Sequence, residues 1–289
     1  WNSSSNCNNI FAMLPDGRRM HLHHGPIDLI VEAWGADREA AYRQAAQRFQ
    51  NLLQELVDEL PMLRSPRDDT HIFKGAVARR MHDAVSPFSD VFVTPMAAVA
   101  GAVADEILSV MVSAGRLEKA YVNNGGDAAF YLTDGEQVEA ALAPPMTGKI
   151  TVSAEAPYRG IATSGWRGRS HSLGIADAVS VVAETAAAAD VAATLVANAV
   201  DLPGHVAIIR QPACELAPDS DLGAREVTTD VGILSAAEIE RALARGTEFA
   251  EVLRDGGHIA GALLMLNDEL RQVGATETLQ VKQRIPIDA

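Results

Sequence analysis

Between Asp37 and Leu60 apolar side chains return every three or four residues: Tyr42, Ala45, Ala46, Phe49, Leu52, Leu53, Leu56, Val57 and Leu60. That spacing draws one apolar stripe along a helix, and Pro61 is expected to end it. Residues 61–70, with Pro66 and several charges, read as a linker and a subdomain boundary. Ile72 to Val85 predicts a second helix with Val77, Met81 and Ala84 on one face. Upstream, Arg19 to His24 alternates polar and apolar, meets Gly25-Pro26, and continues as Ile27 to Trp34. This is the pattern of a β-hairpin.

Val91 to Thr94 reads as a short strand, and Pro95 suits the first position of a helix. The helix expected from Met96 to Ala114 is filled with small residues, including Ala97, Ala100 and Gly101, and Gly115 would end it. Lys119 to Asn123 reads as a strand leading into Asn124-Gly125-Gly126-Asp127. Ala128 to Leu132 and Val138 to Leu142 flank Thr133-Asp134-Gly135-Glu136, which predicts a further hairpin. After Pro144-Pro145 comes a strand from Lys149 to Ala154. One more strand ends at Ala162-Thr163-Ser164-Gly165, and another spans Ala178 to Ala183 before an alanine-rich helix.

Towards the end, His205 to Gln211 reads as a strand and Pro212 to Val231 as a loop. Ser235 and Glu238 form a capping-box pattern for a helix from Ala236 to Arg254, which Gly246 could interrupt. Ile259 to Leu266 fits a buried strand or a short helix, and Thr278 to Ile285 a closing edge strand. The short connections favour antiparallel pairing. The expectation is an α+β fold with antiparallel sheets packed with helices, in one domain over residues 13–289. Residues 1–12 (WNSSSNCNNIFA) read as an appended or leader segment, with Met13 as a native start.

Charge and composition narrow the function. The formal net charge is −14 over 289 residues, which argues against a nonspecific nucleic-acid binder. A local basic pocket at Arg167 and Arg169 stays open. No uncharged apolar window reaches the ~18 residues of a membrane span, so no membrane association is expected. Cys7 and Cys214 are the two cysteines and form no CxxC pair, so no thiolate zinc site is expected. His21, His23 and His24 lie together, as exposed strand residues or as a metal site.

The polar chemistry gathers between Gly160 and Thr194. Asp190 and Thr194 are four residues apart, on one face of the alanine-rich helix. A carboxylate and a hydroxyl so placed suit a hard cation such as Mg²⁺. Gly125 and Gly126 let a backbone approach a phosphate or ring system; the alternative is a plain hairpin turn. Arg167 and Arg169 are placed to meet phosphate, or are solvated loop residues. His171 and Asp177 are candidate general bases. A triad of Ser164, His171 and Asp177 would be crowded and lacks a G-x-S-x-G elbow.

Four segments carry a family resemblance. They are MAAVAGAVADEIL (Met96 to Leu108), YVNNGGDAAFYL (Tyr121 to Leu132), IATSG (Ile161 to Gly165) and ADVAAT (Ala189 to Thr194). In this order they resemble the ApbE family, the Mg²⁺-dependent FAD:protein FMN transferases. The GRS-x-SLGIADAV run from Gly168 is similar to a sister branch of ApbE-like proteins. The resemblance implies Mg²⁺ held by Asp190, Thr194 and the Ala97 carbonyl. It implies a nucleotide lined by Gly125, Gly126 and Asp127, and a flavin beside Thr163, Ser164 and Gly165. The family's lysine falls on Ala100 here, and no Asp-Pro follows Ser170-His171-Ser172. Asp105 matches an acidic residue of the family helix. The implied activity is transfer of FMN from FAD or hydrolysis of FAD. The alternatives are flavin or nucleotide binding without transfer, and action on another small anionic substrate. A cytoplasmic protein is expected, with an acceptor protein as partner and a homodimer permitted.

Overall fold

A computed structural model of the chain describes residues 10–142, 146, 148–274 and 279–281. The chain opens with β1 (Phe11–Met13), β2 (Met20–His24) and β3 (Ile27–Trp34). Helices α1 (Arg38–Asp58), α2 (Leu60–Leu63) and α3 (Ala76–Val85) follow. A 3₁₀ turn at Pro95–Ala98 runs into α4 (Val99–Ser113). Then come β4 (Lys119–Asn124), β5 (Asp127–Leu132), β6 (Gln137–Ala141), β7 (Gly148–Ser153), β8 (Gly160–Ser164) and β9 (Ala178–Ala183). The last part holds α5 (Ala186–Ala199), β10 (Ile208–Pro212), α6 (Ala213–Leu216), β11 (Glu226–Val231) and α7 (Ala236–Asp255). It closes with β12 (Gly261–Leu266), β13 (Glu269–Gly274) and β14 (Leu279–Val281).

One sheet of nine strands organises the molecule, in the order β1-β2-β3-β4-β5-β8-β9-β12-β13, and its neighbours pair antiparallel. The helices cover one face. On the other, Phe130, Leu132, Ile161, Val182 and Leu263 meet Ile150 and Val152 of the small sheet β14-β7-β6. Strand β9 is therefore buried at every position. Its Val179 and Val181 join the core under the helices, while Ala178 and Val182 join the core under the small sheet. The sequence expectation of an α+β fold with antiparallel sheets and packed helices matches this architecture.

Helices α4 and α5 form the centre of the helical layer, α4 over β4 and β5 and α5 over β8 and β9. Their small residues explain the close contact. A Cβ on Gly101 would stand 2.2 Å from the Ala186 carbonyl oxygen, and one on Gly160 would stand 2.1 Å from the Thr185 carbonyl carbon. Residues 95–113 are long and apolar enough to cross a bilayer, but half of that window is buried in the fold, with Val103, Ile107 and Met111 inside the core.

Several expectations change. The hairpin expected around Thr133–Glu136 does not form, because β5 pairs with β8 and the chain leaves for the second layer, where β6 pairs with β7. Val91 to Thr94 does not form a strand. The second helix starts at Ala76 rather than Ile72. The Glu59 carboxylate accepts the N–H groups of Lys74 (2.7 Å) and Gly75 (2.8 Å), which ties the entry of α3 to the end of α1. Gly246 does not interrupt α7; a Cβ there would stand 2.3 Å from Val200 Cγ2, so the glycine serves packing. The expected loop 212–231 contains β11, paired with β10. Ile259 to Leu266 resolves as a strand, β12, and β13 returns beside it through Asn267 and Asp268, both at positive φ (52 and 68). Pro144-Pro145 and most of the expected 278–285 strand lie outside the described residues.

Candidate functional site

At one end of the large sheet, the β4–β5 turn, the end of β8, the start of α4 and the middle of α5 enclose a cleft of about 510 Å³. The β4–β5 turn is a two-residue connection in which Asn124 pairs with Asp127. Gly125 and Gly126 have φ of 65 and 121, values that favour glycine. Asn124 is buried and donates its Nδ2 to the Ala100 carbonyl at 3.1 Å, while Asn123 Oδ1 accepts the Gly126 N–H at 2.9 Å. The turn is thus clamped to the start of α4.

Two carboxylates face this cleft from different elements. Asp127 Oδ1 accepts the Thr163 N–H at 3.0 Å. Asp190 Oδ2 accepts the Gly101 N–H at 3.0 Å. Burial pushes the Asp127 carboxyl up to about 7, against the lowering effects of the Thr163 N–H and of Arg169. Burial also raises Asp190 well above the usual carboxylate range, and the nearby Asp127 raises it further. Asp127 is buried and Asp190 half-buried, and two neighbouring acids of which one raises the other suit a shared proton or a bound cation. Thr194 lies one turn beyond Asp190 and Ala97 lies on the 3₁₀ turn, both on the cleft wall. An all-oxygen donor set of this kind fits a hard cation such as Mg²⁺.

The loop between β8 and β9 forms the polar rim. The buried carboxylate of Asp177 accepts from three donors: Trp166 Nε1 at 3.2 Å, Arg167 Nε, and the Asn267 N–H at 2.6 Å. Asp177 therefore fastens the loop to the β12–β13 turn and aims Arg167. The Arg167 guanidinium also lies 4.5 Å from the Trp166 ring centre. Arg169 rests on the glycine turn, where a Cβ on Gly125 would stand 1.9 Å from its Nη2. Farther along, Asn198 of α5 accepts the Leu173 N–H at 2.9 Å and holds the loop's return. His171 is exposed and lines the same cleft.

The residues singled out from the sequence as catalytic, flavin-nucleotide-binding or Mg²⁺-binding line this one cleft, whereas His21, His23 and His24 lie apart from it on β2. Asp105 does not line it either. Its carboxylate accepts the N–H groups of Ala186 (3.1 Å) and Ala187 (2.9 Å), so it joins α4 to the first turn of α5. Sequence reasoning missed the opposite wall. Thr94 Oγ1 donates to Asp221 at 2.5 Å, and Arg225 stacks on Phe92 at 3.2 Å from the ring centre. Asp221 sits in the stretch read as an unpatterned loop, and no local spacing points to it. Asn124 could have been found from the NNGGD turn, whose first pairing residue must face the same way as Asp127.

A family model described as "AbpE bacteria" matches residues 11–276. The UPF0280 protein MK0206 of Methanopyrus kandleri is 31% identical over 183 residues, covering 59% of this chain and 69% of that protein. A UPF0280 protein of Methanothrix thermoacetophila is 37% identical over 127 residues, covering 43% of this chain and 52% of its own length. Among solved structures, the flavin transferase ApbE of Vibrio cholerae superposes with a TM-score of 0.48 at 14% identity, covering 90% of this chain and 98% of that one. The Pseudomonas stutzeri flavinyl transferase ApbE in its apo form gives 0.46 at 12% identity, covering 87% and 93%. On the match across residues 11–276, the chain belongs to the ApbE-like family that this model describes.

Proposed function

We propose that the cleft takes the diphosphate of FAD together with Mg²⁺, and that the chain cleaves FAD there, passing FMN to a protein hydroxyl or to water. The observation that carries this reading is that two carboxylates from different elements, Asp127 of β5 and Asp190 of α5, line one cleft together with Arg167 and Arg169. Asp190, Thr194 and the Ala97 carbonyl would hold the ion, with Asp127 facing it. When bound, Mg²⁺ neutralises diphosphate charge and favours departure of AMP.

The chain's own residues do the rest. Gly125 and Gly126 let the backbone of the turn come close to the nucleotide, and Thr163, Ser164 and Gly165 line the flavin side. Arg167 and Arg169 meet the phosphate oxygens as the attacking hydroxyl bonds to the FMN phosphorus. The bond from that phosphorus to the AMP oxygen breaks, and AMP leaves with the electron pair. Asp177 is committed to three donors, so its role is to position Arg167. His171, exposed on the rim, is the side chain left to take the proton of the attacking hydroxyl.

The test is incubation of the purified chain with FAD and MgCl₂, followed by chromatography for AMP. AMP is expected with Mg²⁺ and lost with EDTA or in Asp190→Asn. Mass spectrometry then separates FMN esterified to a threonine or serine from free FMN. One observation favours a second reading, flavin binding without transfer: the cleft wall carries Ala100 where the family places a lysine. Retained FAD with no AMP would support that reading.

A further inference from the structure

A second cluster of ligating side chains lies on the far face of the sheet from the cleft. In β2, Met20 and Leu22 point into the core under the helices, so His21 and His23 emerge on the opposite face. In β3, Leu29 and Val31 point inward and Asp28 emerges with the histidines. The register sets His23 directly across from Asp28 and His21 across from Ile30, so Asp28 is the diagonal neighbour of His21. His21 Nε2 lies 2.7 Å from Asp28 Oδ1. The His21 and His23 rings are 5.9 Å apart, centre to centre. One donor atom from each of the three residues lies within 4.8 Å of the others.

We propose that His21, His23 and Asp28 form a surface site for a borderline transition-metal ion, with Zn²⁺ the ion its donors fit. A tetrahedral Zn²⁺ with bonds of about 2.0–2.1 Å holds its ligands roughly 3.3 Å apart. The cluster closes to that spacing by side-chain rotation alone, because two paired strands already fix the Cβ positions and His23 and Asp28 are exposed. Two imidazoles and one carboxylate select Zn²⁺, Ni²⁺ or Cu²⁺ over Mg²⁺, which prefers oxygen. Water completes the coordination on the solvent side. The ion bridges β2 to β3 and so clips together a hairpin near the sheet margin. The site has a donor set and a face different from those of the Asp127–Asp190 cleft, and so does not depend on the flavin reading.

The experiment is calorimetric titration of the untagged full chain with Zn²⁺ in excess Mg²⁺, so that the oxygen-lined cleft does not compete. One equivalent of Zn²⁺ is expected to bind and to raise Tm. His23→Gln and His21→Ala are each expected to weaken that binding by more than about tenfold, with Tm in EDTA unchanged for the exposed His23 and little changed for the partly buried His21. Cu²⁺ should give an electron paramagnetic resonance spectrum with splitting from two nitrogens, reduced to that of one in each of the same variants. Should either variant fold poorly, Asp28→Asn gives the same reading from the other strand. Undiminished Zn²⁺ affinity in the folded histidine variants, or displacement of Zn²⁺ by Mg²⁺, would overturn the proposal.

Discussion

Asp190 of α5 accepts the backbone N–H of Gly101 of α4 at 3.0 Å, and the approach is close because Gly101 has no side chain. A Cβ there would stand 2.2 Å from the Ala186 carbonyl oxygen, a backbone atom that cannot rotate away. The same contact that packs the two central helices therefore delivers a carboxylate into the cleft. Gly101→Ala should force the helices apart and cost about 1–3 kcal/mol of stability. It should also weaken Mg²⁺ binding. Denaturant unfolding and Mg²⁺ titration check both, and a stable variant with parental Mg²⁺ affinity would break the link between packing and site.

The enclosed acids make metal-free stability depend on pH in a set direction. An aspartate in the unfolded chain loses its proton near about 3.9, while Asp127 in the fold holds its proton up to about 7. Between those values the folded state binds more protons, so stability from this group is full below about pH 4 and is lost as pH rises through about 7. In EDTA, the Tm of the parent relative to Asp127→Asn should fall across that window. Added Mg²⁺ should restore it at the alkaline end. A difference that stays flat with pH would contradict the account.

Asp177 offers a clean separation of positioning from proton transfer. Asp177→Asn puts an amide where three donors converge, so one donor loses its acceptor. The expected cost is about 1–3 kcal/mol. The KM for FAD should rise with Arg167 released, and the pH profile of kcat should keep its shape. A kcat loss of several orders at unchanged KM would instead make Asp177 a general base.

Arg169 and the Gly125 turn should act on affinity through charge. Arg169→Ala is expected to weaken FAD binding by about tenfold and to flatten its dependence on salt. Fluorescence titration of flavin at two ionic strengths reads both. An unchanged salt slope would leave Arg169 as a solvated loop residue.

The helices and most strands were legible because their apolar spacing matches their buried faces, as in α1, where Tyr42, Ala45, Phe49 and Leu52 are all buried. The cleft was legible because its turn glycines, its Asp190–Thr194 pair and its arginine loop are each local signals. What stayed hidden depends on contacts distant in sequence. Strand β11 shows no clean alternation, since it pairs only with β10 in a two-stranded ribbon. The β5–β6 pairing failed because the choice between β6 and β8 as partner of β5 is made by the second core around Phe130 and Ile150. Asp221 reaches the cleft through Thr94, 127 positions away, and no window of sequence holds both.

The measurement that bears most directly on the account is the visible spectrum of the protein after gel filtration with FAD, with and without Mg²⁺. The account predicts that flavin co-elutes when Mg²⁺ is present, that EDTA or Asp190→Asn releases it, and that AMP accumulates in the included volume. Flavin absent from the protein peak at high FAD and Mg²⁺ would contradict it and leave the cleft to some other small anion.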